Sequence, residues 1–250
     1  MSKTIKIRSW IVSFSVIAIS ILILACEPNL SEEDVFDEQE IESLTNEYEP
    51  SVPVNSLNIS DIYLNANDIP SGYELDEMDL LDNDTIASDW PDAAAALERY
   101  ESWGRIQGYD VEFSKEAYSN ADSVALFSDI TMACSVYGDG AGAIEDFMFQ
   151  EIDRELVYKH HIDSLGGANY SFESITDVNV GDDSFSGKTI YIDKLDGKNL
   201  KVTQIQVVFR KAYVVCAVAL TSFGGEPPEY ADLEYVAKSQ DKLIIAALGN

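Results

Sequence analysis

Alternating hydrophobic and polar residues mark several stretches of the chain as β-strands, because successive side chains of a strand point to opposite faces of a sheet. DIYLNANDIPSGYEL predicts a strand, a turn at DIPSG and a second short strand, and GRIQGYDVEFS predicts another. In SVALFSDITMACSVYG the apolar face consists of Ile130, Met132, Cys134 and Val136. SFSGKTIYID, VTQIQVVFR and YVVCAVAL predict three more strands, the last two joined by a tight hairpin at Lys211 and Ala212.

Three stretches have the residue spacing of helices instead. In SDWPDAAAALERYESWG, Asp89 is the predicted cap, Pro91 lies in the first turn and Gly104 ends the helix. AIEDFMFQEIDRELVYKHH predicts an amphipathic helix. Its apolar positions are Ile144, Phe147, Met148, Ile152 and Leu156, and its acidic positions are Glu145, Asp146, Glu151 and Asp153. The closing helix, PPEYADLEYVAKSQDKLIIAAL, has its predicted buried face at Leu233, Val236, Ala237, Gln240, Leu243, Ile244 and Ala247.

Consecutive strands joined by short turns, with helices between some of them, are typical of an antiparallel sheet rather than a parallel one. The sequence therefore predicts the α+β class, with a largely antiparallel sheet covered by helices. The 250 residues are 46% hydrophobic, which is enough to bury a sizeable core. We expect one globular domain, residues 58–250.

The first 25 residues are typical of an export signal. Lys3, Lys6 and Arg8 precede an apolar run from Trp10 to Leu24. The run is shorter than the about 20 residues of a spanning helix, and its basic flank would hold the amino terminus in the cytoplasm while the rest crosses. Residues 1–25 are therefore the predicted signal peptide of an exported protein.

The apolar run ends in a motif that resembles the lipobox of bacterial lipoproteins: Ile23, Leu24, Ala25 and Cys26. In that family cleavage precedes the cysteine, which is then diacylated, so the resemblance implies lipid attachment at Cys26. Two acyl chains anchor a protein stably, whereas one chain binds marginally. The alternative is an uncleaved anchor helix with a free thiol. Either way the expected partner is the lipid bilayer, and the expected location is the extracytoplasmic face of the cell membrane.

Residues 26–57 are acidic, contain Pro50 and Pro53 and have only scattered apolar residues, so they predict a disordered tether. The whole chain has a formal net charge of −29, and no Lys or Arg lies between Arg8 and Arg99. Such a surface repels the phosphates of a nucleic acid and does not favour an anionic membrane surface. The composition therefore excludes nucleic-acid binding and leaves the anchoring to the acyl group.

The order of motifs in residues 59–248 resembles that of a group of exported bacterial lipoproteins of uncharacterised role. Their sandwich is similar to those of the Ran-binding protein Mog1 and of photosystem II oxygen-evolving protein P (PsbP). The motifs are a turn with Asp68, Pro70 and Gly72, a second turn at residues 181–184, and Arg210 at the end of a strand. Members of the group serve as binding or accessory modules, so the resemblance implies no reaction and no catalytic residue.

The stretch SVYGDGAGAIEDF places a glycine-rich loop between a predicted strand and a predicted helix, as in nucleotide-binding loops. Gly138, Gly140 and Gly142 give GxGxG rather than GxGxxG, and no Lys followed by Ser or Thr completes a phosphate loop. We interpret it as a turn that enters a helix, with positive φ permitted at Gly138 and Gly140 and with Asp139 near the helix amino end. No cofactor is predicted.

Two acidic segments are candidates for calcium. The possible oxygen donors in DLLDNDTIASD are Asp79, Asp82, Asn83, Asp84 and Asp89. The segment lacks the central glycine and final glutamate of an EF-hand, so a solvated loop is the favoured interpretation and a weak calcium site the alternative. For residues 181–184 we expect a turn in which Asp182 or Asp183 bonds local backbone amides. No metal ligand is predicted.

No catalytic residue is predicted either. His160 and His161 are adjacent, so on a helix they point about 100° apart and would not hold one zinc ion together. We interpret them as surface residues at a helix end. The chain contains no GxSxG motif. The enzymatic alternative is a hydrolase that uses acidic residues, which a cleft with two carboxylates about 5 to 9 Å apart would support.

Aromatic and thiol side chains complete the set of candidates. The aromatic candidates for a cleft that binds an apolar or sugar-like ligand are Tyr63, Tyr73, Trp90, Tyr100, Trp103, Tyr109 and Tyr118, although core packing is favoured. Export would permit a disulfide between Cys134 and Cys216. Both lie in strongly apolar strands, and bonding requires neighbouring strands in matching register. We therefore expect two buried free thiols.

The function favoured by these observations is that of a membrane-anchored lipoprotein without enzymatic activity. Its domain would bind a protein or small-molecule ligand of unknown identity. The hydrolase and a calcium-responsive module are the alternatives.

Overall fold

The computed structural model describes residues 53–88, 90, 92–118, 125–164, 168–195 and 198–249. Within them the chain forms one sheet of seven strands, antiparallel at every pairing. The strands are β1 (Glu74–Leu81), β2 (Arg105–Tyr118), β3 (Ala125–Tyr137), β4 (Ala168–Ser174), β5 (Asp183–Leu195), β6 (Lys198–Lys211) and β7 (Val214–Phe223). Their order, β1-β2-β3-β7-β6-β5-β4, joins two meanders at the β3–β7 pair.

Four α-helices accompany the sheet in the described part of the chain. They are α1 (Asn83–Ser88), α2 (Ala93–Ser102), α3 (Gly140–Ser164) and α4 (Tyr230–Ala247). Helices α1 and α2 connect β1 to β2, α3 connects the two meanders, and α4 follows β7. This is the predicted α+β class. None of the helices described is long and apolar enough to cross a membrane.

The main hydrophobic core lies on the face of the sheet that α4 covers. The predicted apolar face of β3 is confirmed, because its four residues all belong to this core. The predicted face of α4 is confirmed as well, with Leu233, Val236, Ala237, Gln240 and Ile244 buried. Leu57, the last residue of the predicted tether, is buried in the same core.

The segment before β1 does not form the strand that DIYLN predicts. It forms a 3₁₀ turn, Ile59–Ile62, that buries both isoleucines. Their spacing of three suits a 3₁₀ turn, in which residues i and i+3 lie on one side. The carbonyl of Ile62 accepts hydrogen bonds from Tyr109 Oη at 2.7 Å and Gln240 Nε2 at 2.9 Å, which fixes this turn between β2 and α4.

Helix α2 begins later than the sequence predicts. Its cap is Asp92, whose Oδ1 accepts a hydrogen bond from the amide of Ala95 at 3.1 Å. Asp92 directly precedes the alanine run, where helix propensity is highest, so the cap is not Asp89. Asp89 and Pro91 lie outside the described residues. Gly104 follows the helix with a φ of 66°, as expected for a residue that ends one.

Helix α3 buries a different face from the one that its apolar spacing predicts. Ile144 and Phe147 are buried as expected, but Ile152 is 60% exposed. Asp146 and Gln150 are buried instead, although the residue spacing predicts Asp146 on the polar side. The helix is therefore rotated about its axis relative to the prediction, and it presents a carboxyl and an amide to the interior.

The hairpin between β6 and β7 is confirmed, with its turn one residue later than predicted, at Ala212 and Tyr213. Ala212 has a φ of 52°, which a residue other than glycine rarely adopts. The bend at residues 181–184 contacts this hairpin, because Asp182 Oδ2 accepts a hydrogen bond from the Ala212 amide at 2.7 Å.

Candidate functional site

Cys134 and Cys216 form a disulfide between β3 and β7. The two residues are directly opposite in the antiparallel register, and their Cα atoms are 4.1 Å apart. The prediction of two free thiols was wrong, because the residues are 82 positions apart and the sequence does not reveal that their strands are neighbours. Gln240 Nε2 lies 3.6 Å from Cys134 Sγ, so α4 packs directly on the bond.

Four acidic residues form what we call the carboxyl block on β1 and β2: Glu77, Asp79, Asp110 and Glu112. Glu77 is directly opposite Glu112, and Asp79 is directly opposite Asp110. Alternate residues of a strand share a face, so all four side chains lie on the same face of the sheet. Directly opposite Cβ atoms are about 4.5–5.5 Å apart, and like charges at this distance destabilise a strand pair.

Burial and mutual repulsion raise the pKa of two members of the block. Burial is the larger cause at Glu112, followed by the charge of Asp129, and its pKa rises to about 8. Burial and then the charge of Asp79 raise the pKa of Asp110 to about 7. Asp110 and Glu112 therefore exchange protons near neutral pH, which ordinary carboxyls do not.

A row of buried polar side chains extends the carboxyl block across the sheet. Glu112 pairs with Thr131 of β3, which pairs with Ala219 of β7, which pairs with Gln206 of β6. Glu112, Thr131 and Gln206 are at most 6% exposed. Glu112 Oε1, Thr131 Oγ1 and Gln206 Oε1 have no hydrogen-bond partner in the described part of the chain. A buried polar atom without a partner costs about 1–3 kcal/mol, so this row is a locally unfavourable feature of the sheet interior.

A second buried polar group lies under α3. Asp146 is 5% exposed, and its Oδ2 accepts a hydrogen bond from Gln150 Nε2 at 3.0 Å. Burial raises the pKa of Asp146, while Tyr137 and Arg105 oppose that rise. A cavity of about 10 Å³ adjoins Asp146 and Gln150. This volume holds about one water molecule, and Asp146 is the only carboxyl among the described residues that line it.

Arg105 joins the strands around this cavity. Its guanidinium donates to Asn83 Oδ1 at 2.8 Å, to the carbonyl of Leu81 at 3.2 Å and to Ser135 Oγ at 3.0 Å. Arg105 is 4% exposed and also lies over the ring of Tyr100, 5.5 Å from its centroid. These contacts fix the end of β1 and the start of α1 against β2 and β3.

The glycine-rich loop enters α3, as predicted. Asp139 Oδ1 accepts a hydrogen bond from the amide of Gly142 at 3.0 Å. Gly138 and Gly140 are not among the described glycines with positive φ, so the conformational freedom expected of them is not used. The position in this loop that requires glycine is Gly142, because a Cβ there would overlap the carbonyl of Trp103.

The candidate aromatic residues lie on both faces of the sheet and do not share one cleft. Trp90, Trp103 and Phe149 surround the guanidinium of Arg99, with Cζ 4.4 Å from the Phe149 centroid. Tyr63 and Tyr109 pair on the α4 face, with ring centroids 4.6 Å apart. Core packing is confirmed for Trp90, Tyr100 and Tyr109, which are all buried. Tyr73 lies 5.5 Å from Lys115 Nζ, and the side chain of Tyr118 lies outside the described residues.

The first calcium candidate is not a loop. Asp79 belongs to β1 and the carboxyl block, and Asp82 caps α1 by accepting a hydrogen bond from the Thr85 amide at 2.7 Å. A hydrogen bond from the Thr85 side chain, and then this amide bond, lower the pKa of Asp82. Asn83 binds Arg105, and Asp84 lies in the first turn of α1. Among the described residues no group of three or more His, Cys, Asp or Glu side chains is placed to hold a metal ion.

In the second calcium candidate the acidic side chains bond a distant hairpin rather than local amides, so that expectation was wrong. Asp182 Oδ1 lies 2.7 Å from Lys211 Nζ, and its Oδ2 binds the Ala212 amide. Asp183 Oδ2 accepts a hydrogen bond from Arg210 Nε at 2.9 Å. These carboxyl groups are engaged in ion pairs that connect the start of β5 to the end of β6.

The remaining candidates fall largely outside what the structure describes. His160 and His161 lie within α3, but their side chains are outside what the structure describes. Cys26, the signal peptide and the tether up to residue 52 lie outside the described residues. The lipid attachment at Cys26 stays a prediction.

Comparison with known proteins identifies no family for this chain. No family model matches the chain, and no curated protein is significantly similar to it. A structure of LpqN, described as involved in cell envelope biogenesis of Mycobacterium tuberculosis, aligns over 70% of this chain and 78% of its own, with 14% identity and a TM-score of 0.28. A likeness this weak carries no inference about fold or function.

Proposed function

We propose that the protein is a membrane-anchored extracytoplasmic lipoprotein whose α+β domain is a binding module without enzymatic activity. The observation that carries the proposal is the disulfide between Cys134 and Cys216. Disulfides form and persist in oxidising compartments and are rare in the cytosol. The apolar run that ends at Cys26 supports the same location, with lipid attached at that cysteine.

The polar features favour binding over hydrolysis. The cavity beside Asp146 contains one carboxyl among its described lining residues, whereas a pair flanks the bond in glycoside hydrolysis. Glu77 and Asp79 of the carboxyl block lie on an exposed strand, and Glu112 Oε1, buried on the adjacent strand, has no hydrogen-bond partner among the described residues. A site of this kind suits a ligand that donates hydrogen bonds or carries positive charge. The hydrolase, the calcium-responsive module and the likeness to the Mog1 and PsbP sandwiches stay predictions.

Mass spectrometry of protein extracted from membranes tests the anchor. We expect a mature amino terminus at a diacylated Cys26, and we expect Cys26→Ser to accumulate as unprocessed precursor. Ser31→Ala, a matched change within the predicted tether, should be processed like the wild type. An unmodified Cys26 in the mature protein, or protein recovered with reduced cysteines from the cytoplasm, would refute the proposal.

A further inference from the structure

Strand β1 is an edge of the sheet and is exposed along most of its length. Among the described strands only β2 pairs with it. Seven of its eight residues are exposed, whereas all ten residues of β7 are buried. An edge strand presents a row of amide and carbonyl groups to an added strand, and natural proteins usually shorten or cover long exposed edges.

The two faces of β1 differ in chemistry. Met78 and Leu80 are 46% and 64% exposed on the face that carries the main core. Glu77 and Asp79 point to the opposite face, where they belong to the carboxyl block. The register is regular from Glu77 onward, and acidic and apolar side chains alternate from Glu77 to Leu80.

Most members of the carboxyl block form no ion pair with another described residue. None of the ion pairs between described residues involves Asp79, Asp110 or Glu112. The strand next to the block has a further buried polar group. The hydroxyl of Thr131, 2% exposed and directly opposite Glu112, has no hydrogen-bond partner in the described part of the chain.

We infer that β1 is the docking edge for an extended peptide segment of a partner protein, in which Lys or Arg residues alternate with apolar residues. The segment adds to the sheet as a further strand, and its backbone hydrogen bonds to β1 supply affinity. Its basic side chains lie beside Glu77 and Asp79, and its apolar side chains lie beside Met78 and Leu80. The inference names a partner class for the binding module proposed above and rests on that proposal.

Charge disfavours the other occupants of this edge. A second copy paired through β1 would bring another set of exposed carboxyls next to Glu77 and Asp79, and like charges on adjacent strands repel. An anionic lipid surface would be repelled by the same side chains. A basic strand is the occupant whose charge complements the edge.

The test uses the full-length protein in detergent micelles and a fluorescent peptide of about ten residues that alternates Lys and Val. One control peptide replaces two valines by proline, which keeps the charge but prevents strand addition. A second replaces Lys by Glu. At about 0.15 M salt we expect both controls to bind at least about ten-fold more weakly, measured by fluorescence anisotropy. Binding should also slow amide hydrogen exchange in β1.

Matched variants locate the peptide. Asp79→Lys should weaken binding at least about ten-fold, whereas Glu173→Lys makes the same charge change on the exposed opposite edge, β4, and should leave it unchanged. If Asp79→Lys does not fold, Leu80→Asp provides a second change at an exposed position. Equal binding of the proline peptide, or unchanged affinity in the folded variant, would overturn the inference.

Two further outcomes separate this inference from its alternatives. A dimer in sedimentation velocity that is lost in Asp79→Lys would identify a second copy as the occupant and overturn the inference. Protein that binds the Lys-Val peptide but carries no acyl group refutes the anchor alone. Acylated protein that does not bind the peptide refutes the docking edge alone.

Discussion

Cys134 and Cys216 face each other at the centre of the sheet, where their disulfide joins β3 to β7. Within the sheet the two meanders meet only at this strand pair among the described strands. The bond therefore connects the two halves of the fold and closes a loop that contains α3 and the strands β4, β5 and β6.

The double variant Cys134→Ala/Cys216→Ala should lose about 2–5 kcal/mol of the free energy of unfolding, because a crosslink over a long loop restricts the unfolded chain. Urea denaturation followed by circular dichroism measures the loss. Reductant is the control, since it should lower the wild-type midpoint and leave the double variant unchanged. Two titratable thiols from these cysteines in denatured, unreduced protein would contradict the bond.

The free energy of unfolding should contain a contribution that falls as the pH rises from about 5 to about 8. The pKa of Glu112 is about 8 and that of Asp110 about 7 in the folded protein, above the usual carboxyl range. Between the unfolded and folded pKa values the folded state binds more protons, so rising pH favours unfolding. Below about pH 4 these carboxyls are protonated in both the folded and the unfolded state, so they no longer lower the free energy of unfolding. Urea midpoints measured across this range give the slope.

Substitution of one carboxyl tests the origin of this slope. Glu112→Gln removes a titrating group and should reduce the dependence of the urea midpoint on pH. Glu226→Gln, an exposed change in the loop after β7, should leave the dependence unchanged. Equal slopes in the wild type and Glu112→Gln would show that Glu112 is not responsible.

Elements with a strong local pattern could be predicted from the sequence. The buried faces of β3 and α4 follow directly from residue spacing, because apolar side chains recur there with the period of a strand and of a helix. The spacing predicts Gln240 on the buried face of α4 in spite of its amide, and Gln240 is fully buried against the disulfide. In these elements the local pattern and the tertiary packing agree.

Features that depend on which strands pair, and in which register, could not be predicted. Strand alternation places Asp110 and Glu112 on one face of β2, and Glu77 and Asp79 on one face of β1. Only the register shows that these faces coincide. The alternation of acidic and apolar residues within β1 was the available signal. Likewise, the buried face of α3 includes Asp146, and Tyr137 and Arg105, which act on the pKa of that carboxyl, belong to other elements.

Gly142→Ala should lower the free energy of unfolding by about 1–3 kcal/mol, because the added Cβ would overlap the carbonyl of Trp103 and displace the start of α3. Gly140→Ala is the matched control in the same loop. The atom nearest to a Cβ at this position is the carbonyl oxygen of Ala212, 4.0 Å away. The free energy of unfolding should therefore stay the same or rise slightly. Chemical denaturation compares the two, and equal losses would contradict the close approach at Gly142.

Asp182→Ala should lower the free energy of unfolding by about 1–3 kcal/mol, because it leaves the amide of Ala212 without its acceptor. Asp182→Asn keeps an oxygen for that amide and removes only the charge that pairs with Lys211 and Arg210. Asp182→Asn should therefore lose less of the free energy of unfolding than Asp182→Ala, and urea denaturation of both variants measures the difference. Equal losses would mean that the ion pairs, rather than the amide bond, hold the bend to the hairpin. A larger loss in Asp182→Ala shows that the hydrogen bond stabilises Ala212 in its unusual backbone conformation.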